Sequence, residues 1–146
     1  MERNDDEKII KKRYLRSYRA HVHRQERLEE QLVELQAMKI YPSMRNNDGM
    51  PHGSSTDQDL SGYVAEKERL EKEIEKEKEK RVQSYAEIME YINRLPRERE
   101  RDVLFYRYIK DMDWWGVAKK MNYSQRETYR THSIALRKLE IPESWQ

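Results

Sequence analysis

The chain has 146 residues, of which 40% are charged and 36% hydrophobic, and its mean hydropathy is −1.25. So polar a composition excludes a large buried core, although ten tyrosines and three tryptophans separate it from the aromatic-poor composition of disordered proteins. The net charge is +2, and the absence of cysteine excludes disulfides, thiolate zinc sites and cysteine nucleophiles.

The apolar residues never form a run long enough for a membrane span or for the core of a signal peptide. We therefore expect a soluble, cytoplasmic protein that contacts no membrane. The composition favours one small compact module joined to long, solvated helices.

Residues 7–38 have the pattern of an amphipathic helix, because apolar residues recur there at steps of three, four and six. The stripe consists of Ile10, Tyr14, Tyr18, Val22, Leu28, Leu32 and Leu35. Since the stripe is narrow, the helix needs a partner that buries it.

Residues 39–62 contain two prolines and three glycines among many Ser, Asn and Asp residues, which predicts a loop. A loop of this length in a compact protein is usually either functional or disordered. Residues 48–54, "DGMPHGS", contain no Gly-Lys-Ser/Thr phosphate-binding motif.

Residues 60–95 again have helical periodicity, in a stripe interrupted by the charged run "EKEKEKR". The stripe consists of Tyr63, Leu70, Ile74, Tyr85, Ile88, Ile92 and Leu95. We interpret the charged run as a solvated stretch of helix. Residues 1–95 are thus predicted to form an antiparallel helical hairpin or coiled coil with a loop at 39–62. Its helices are a candidate surface for homo-oligomer formation.

Residues 96–146 are predicted to form a second domain of three short helices. Asp113 is a good N-cap for the middle helix, and Ser124 with Glu127 forms a capping box for the last one. The predicted core consists of Leu104, Tyr108, Trp114, Val117, Ala118, Met121, Ala135, Leu136 and Leu139.

The last predicted helix is basic. Residues 119–138 contain six Lys or Arg side chains and one acid, a local net charge of +5 that attracts phosphates. Opposite its apolar side lie Gln125, Arg126, Tyr129, Arg130, Ser133 and Arg137. Arg and Gln are residue types that read guanine and adenine edges in the major groove. The pattern predicts an all-α protein with a C-terminal helix-turn-helix that binds double-stranded DNA.

A further pattern spans residues 95–139. Its elements are Leu95-Pro96, Val103-Leu104, Arg107-Tyr108, Trp114, Val117-Ala118, Tyr123-Ser124, and Ala135-Leu136 with Leu139. In this combination and spacing they resemble region 4 of the sigma-70 family of RNA polymerase sigma factors, over about a third of the chain. With residues 48–54 and the Glu/Lys-rich helix, the whole chain also resembles small sigma-like regulators of phages and prophages of Gram-positive bacteria.

The resemblance implies a DNA-binding transcription regulator whose last helix lies in the major groove of a promoter element. The DNA contacts it implies are Gln125, Arg126, Tyr129, Arg130 and Ser133. It also implies a contact with RNA polymerase near Val103, Leu104, Arg107 and Tyr108.

The chain departs from the family pattern at three positions. Gly116 replaces a Glu that helps to cap the middle helix, which predicts a frayed helix end. Thr128 and Thr131 replace Val or Ile, which predicts a more polar core under the last helix. The segment that recognises and melts the −10 element has no counterpart, so we do not expect a self-sufficient sigma factor.

Two other functions fit the same features. One is a small terminase-like recognition protein for DNA packaging, and the other is a protein that binds polymerase but not DNA. We expect no enzyme activity, no cofactor and no metal site, since the four histidines form no ligand cluster in the sequence.

Overall fold

A computed structural model of the protein describes the backbone of residues 2–45 and 55–146 and the side chains of residues 2–38 and 60–146. Every regular element in these ranges is helical, which confirms the all-α prediction. The α-helices are α1 (Glu2–Arg45), α2 (Ser55–Asn93), α3 (Glu98–Leu104), α4 (Trp114–Met121) and α5 (Gln125–Lys138). A π-helical stretch, Phe105–Ile109, follows α3, and a 3-10 turn, Glu143–Trp145, ends the chain.

In the described ranges, every helix is too polar or too short to cross a membrane.

The predicted loop at residues 39–62 is shorter than expected. Helix α1 continues to Arg45 and α2 begins at Ser55, so both ends of the predicted loop are helical. Helix α1 thus continues through Pro42, although proline lacks the N–H for one helical hydrogen bond and is disfavoured inside a helix. The rest of the predicted loop, residues 46–54, lies outside the described residues.

The chain divides into two compact units. The first unit contains residues Met1–His21 and Arg81–Gln146, and the second unit contains Val22–Lys80. The division does not coincide with the predicted boundary at residue 95, because both long helices supply core residues to the first unit. Tyr14 and Leu15 of α1 and Ile88 and Ile92 of α2 are buried there.

The second unit is a pair of helical segments with a small core. Leu28 of α1 and Leu70 and Ile74 of α2 are buried together. Glu77 belongs to the run predicted to be solvated, yet it is only 5% exposed and forms an ion pair with Arg24 at 3.2 Å. The run is therefore not solvated at this position, because its helical register turns Glu77 inward.

The first unit packs the short helices α3, α4 and α5 against one another. Their core contains most of the residues predicted for it, whereas Trp114 and Met121 are only partly buried. The ends of the two long helices complete the core, as does Ile141 after α5. A long-range contact fixes α1 here: the Lys11 Nζ donates hydrogen bonds to the carbonyl oxygens of Leu136 and Arg137, at 2.9 and 3.3 Å.

Candidate functional site

Helix α5 has one buried face and one exposed face. The buried face consists of Thr128, Thr131, His132, Ala135 and Leu136. The exposed face contains all six residues that the sequence predicts for DNA binding, namely Gln125, Arg126, Tyr129, Arg130, Ser133 and Arg137. Successive residues of an α-helix turn by about 100°, so these six positions fall on one continuous side of α5.

The start of α5 is fixed by a cap. The Ser124 Oγ accepts a hydrogen bond from the Glu127 amide at 3.1 Å, as the predicted capping box requires of the serine. The Thr128 hydroxyl donates to the Ser124 carbonyl oxygen at 2.9 Å, and the Thr131 hydroxyl donates to that of Glu127 at 2.8 Å. The hydroxyl groups of these two threonines are thus satisfied within the helix itself.

A short turn, residues 122–124, joins α4 to α5. Asn122 adopts the left-handed conformation, with φ 59° and ψ 43°. The Tyr123 amide donates to the Ala118 carbonyl oxygen at 2.9 Å, and the Asn122 amide donates to that of Lys119 at 3.2 Å. This is the Schellman arrangement that ends many helices, and it sets the direction in which α5 leaves the turn.

Helix α4 is capped although Gly116 replaces the Glu of the sigma pattern. The Asp113 Oδ1 accepts a hydrogen bond from the Gly116 amide at 2.7 Å. A Cβ atom at position 116 would lie 3.0 Å from the same oxygen, so glycine leaves room for this cap. Asp113 thus supplies a cap where the sequence comparison predicted fraying.

A cluster of aromatic and polar side chains supports the middle of α5. The His132 Nε2 and the Tyr108 hydroxyl are hydrogen-bonded at 2.8 Å. The ring of Trp114 lies edge-on to His132 at 4.5 Å and also contacts the exposed ring of Tyr129 at 5.1 Å. The Arg107 guanidinium lies over Trp114 at 4.6 Å. The cluster thus links the core to a side chain on the exposed face.

Burial sets the protonation states in this cluster. Desolvation, with help from the charges of Lys12 and Arg107, lowers the pKa of His132 to about 3. Desolvation also raises the pKa of Tyr108 to about 12. His132 is therefore neutral and Tyr108 protonated at neutral pH, and His132 is a core residue.

The two adjacent tryptophans differ in exposure. Trp114 is partly buried in the cluster, whereas Trp115 is 63% exposed. The Lys119 Nζ lies 5.2 Å from the centre of the Trp115 ring. The exposed indole is the largest apolar group on the surface of α4 and has a cation beside it.

The residues predicted to contact polymerase lie mostly in the core. Val103 and Leu104 are fully buried and Tyr108 nearly so. Arg107 is partly exposed, and its guanidinium donates to the Met112 carbonyl oxygen at 2.8 Å. A contact through the three buried side chains would require the first unit to open, because close packing leaves them no surface.

A groove of about 290 Å³ lies between the start of α3 and α5. Arg97, Arg99 and Arg130 contribute three guanidinium groups to its lining. Glu100 lies beneath, nearly fully buried, and one of its carboxylate oxygens accepts from the Lys138 Nζ at 2.9 Å. Nothing local in the sequence distinguishes Arg97 or Arg99 from other exposed arginines, so neither is predicted as a site residue.

In the described part of the chain, no three His, Asp or Glu side chains are arranged to hold a metal ion.

Comparison with known proteins identifies one family. Residues 49–140 match the model of DUF1492, which is described as a protein of unknown function. No curated protein and no solved structure matches the chain. The match spans more than half of the chain, including α3, α4 and α5.

Proposed function

The chain belongs to the DUF1492 family, and we propose that it is a sequence-specific regulator of transcription, of phage or prophage type, that binds double-stranded DNA. Helices α4 and α5 would act as a sigma region 4-like helix-turn-helix, with α5 as the reading helix. In such motifs the second helix enters the major groove and its first residues contact base edges.

The observation that carries this proposal is the two-sided character of α5. Its buried face is held by the first unit, while its other face presents three exposed arginines, Arg126, Arg130 and Arg137. Among the side chains that the structure describes, none of the three has a carboxylate within ion-pair distance. Guanidinium groups that are free of internal ion pairs are available to phosphates and to guanine.

The positions of the six side chains suggest a division of roles. Gln125, Arg126, Tyr129 and Arg130 lie in the first half of α5, where recognition helices contact bases. Ser133 and Arg137 lie in the second half and suit contacts with phosphate oxygens. Arg126 and Arg130 are the strongest candidates for bidentate contacts with guanine.

The test is duplex binding by the purified full chain across a salt series, with a duplex selected by the wild type from a random library. We expect Arg126→Ala or Arg130→Ala to reduce the preference for the selected duplex over a random one by about 1–3 kcal/mol. Arg27→Ala removes an exposed arginine of α1 in the second unit and serves as the matched control.

Two results would reject the proposal. One is a wild-type protein that selects no duplex above a random fragment. The other is a preference that both α5 variants leave unchanged. Normal melting of the variants by circular dichroism shows that a loss of binding does not come from unfolding.

A second candidate function is contact with RNA polymerase without DNA binding. The exposed Trp115 beside Lys119 supports it, since exposed tryptophans are enriched among residues that dominate protein interfaces. Binding of polymerase by the wild type, lost in Trp115→Ala and unaffected by Arg126→Ala, would favour this candidate over the first.

Self-association through the long helices remains a prediction. Val33 of α1 and Val64 of α2 are exposed in the second unit, which supports it. Sedimentation of the full chain over a concentration series tests it directly.

A further inference from the structure

The first four turns of α1 carry a row of cations that the function proposed above does not use. Lys8, Lys12 and Arg16 are spaced four residues apart, so they lie in succession along one side of α1. Arg16 is exposed, and Lys8 and Lys12 are half-buried. Each step of four residues advances about 6 Å along a helix, so the row is about 12 Å long.

Two contacts fix this part of α1 within the first unit, one with α5 and one with the segment before α4. In the middle of the row, next to Lys12, the buried Lys11 donates to the carbonyl oxygens of Leu136 and Arg137 at the end of α5. Beyond the end of the row, Arg19 forms an ion pair of 3.6 Å with Asp111, in the segment before α4. All of these residues belong to the first unit. Helix α1 therefore contacts the end of α5 and also the segment before α4.

The positive charges of the row act on a buried group of the first unit. Lys12, Arg16 and Lys8 all contribute to lowering the pKa of the buried His132 on α5, together with Arg107 and the larger effect of desolvation. Among the side chains that the structure describes, none of the three row residues has an acid within ion-pair distance. The row thus adds positive charge, not compensated by ion pairs, next to α5.

We propose that Lys8, Lys12 and Arg16 form a second DNA-binding surface that contacts the phosphates of the duplex that α5 reads. This inference rests on the proposed function. A row of cations along one helix side can follow one phosphate strand, and contacts with phosphates carry no direct sequence information. The row would add affinity and dependence on salt, and leave sequence preference to α5.

The test compares two triple variants with the same change in charge. Lys8→Gln/Lys12→Gln/Arg16→Gln neutralises the row, and Lys72→Gln/Lys76→Gln/Lys80→Gln neutralises lysines with the same spacing on α2. Binding to the duplex selected by the wild type is measured by fluorescence anisotropy across a salt series. Because each released counterion contributes about 0.9 to the slope of log K against log salt, the row variant should lose up to about 2.7 in slope.

We expect the ratio of affinities for selected and random duplex to stay unchanged in the row variant. Arg16→Gln alone, at the most exposed position, should lose about 0.9 in slope and covers the case in which the triple variant fails to fold. Equal slopes for the row variant and the α2 variant would overturn the inference, since net charge alone would then explain them.

A loss of sequence preference in the row variant would also overturn it, because the row would then support α5 and not the phosphate strand. If the row variant and the α2 variant have equal salt slopes while Arg126→Ala loses its preference for the selected duplex, only this inference fails. If the wild type selects no duplex, the proposed function fails and this inference with it. The row variant could instead change the salt dependence of binding to acidic polyglutamate and leave that of DNA binding unchanged. This result would overturn the inference and assign the row to an acidic protein partner.

Discussion

At the scale of single residues, buried ionisable groups decide how the first unit responds to its surroundings. His132 is buried under α5 and shares a hydrogen bond with Tyr108. Lys11 is also buried, and its ammonium group reaches two carbonyl oxygens at the end of α5. Both groups lie in the unit that contains α5. Substituting either of them should therefore change the free energy of unfolding.

His132 should make the protein less stable in mild acid. Its folded pKa of about 3 lies below the unfolded value of about 6.5, so between these pH values the unfolded state binds the proton and the folded state does not. The free energy of unfolding should therefore fall as pH falls through this window, by up to about 1.4 kcal/mol per pH unit. Urea unfolding between pH 6.5 and 5 measures the slope.

One variant and one control show which group causes this pH dependence of stability. His132→Gln should flatten it, whereas His23→Gln, at an exposed histidine of α1, should leave it as in the wild type. A wild-type slope that survives in His132→Gln would show that another group is responsible.

Lys11 should stabilise the end of α5. In Lys11→Met the aliphatic stem remains, but the carbonyl oxygens of Leu136 and Arg137 lose their donor. We expect a loss of about 1–3 kcal/mol in the free energy of unfolding, measured with urea. Lys67→Met removes an exposed ion pair with Glu71, and should change stability by less than about 1 kcal/mol. Equal effects of the two changes would contradict this role.

At the scale of elements, the turn between α4 and α5 sets the geometry of the proposed reading helix. Asn122 is in the left-handed region, which a residue with a Cβ enters at a cost and glycine enters freely. The cap of α5 by Ser124 follows two residues later. The left-handed residue and the serine cap depend only on neighbouring residues. Position 122 should therefore tolerate only residues that adopt the left-handed conformation at low cost.

Asn122→Ala should therefore lower the free energy of unfolding by about 1 kcal/mol, while Asn122→Gly should leave it unchanged or raise it. Thermal unfolding of the two variants under the same conditions separates them. An alanine variant at least as stable as the glycine variant would show that the backbone does not hold this conformation in solution.

At the scale of the whole molecule, the unit that carries α5 is assembled from both ends of the chain. Residues of α1 and of the end of α2 are as deeply buried in it as those of α3 and α5. A segment confined to residues 96–146 lacks these contacts. The N-terminal helix should thus control the order of α5 although more than 100 residues separate them.

Leu15→Ala tests this coupling, because Leu15 is fully buried in the first unit. We expect a loss of about 2–5 kcal/mol and faster hydrogen exchange of the α5 amides. Val33→Ala, on the same helix but 65% exposed in the second unit, is the control and should leave α5 exchange unchanged. Leu15→Ala with wild-type exchange in α5 would mean that the two ends of the chain are independent.

The sequence by itself determined the features that depend on near neighbours. Helical periodicity predicted the all-α class and the exposed side of α5. N-cap residues predicted where α4 and α5 begin, with Asp113 and Ser124 in the expected roles. These predictions succeed because backbone hydrogen bonds and side-chain direction in a helix depend on residues three or four apart.

Only the tertiary structure decided which parts of the long helices pack where. It buries Glu77 in a run that reads as solvated, buries Val103 and Leu104 where a partner contact was predicted, and joins Lys11 to Leu136 across 125 positions. The sequence carries no local signal for such contacts, because their energy comes from desolvation and packing between segments that meet only after folding. For the same reason, periodicity predicts which side of α5 faces solvent, but it does not predict that cations of α1 lie beside α5.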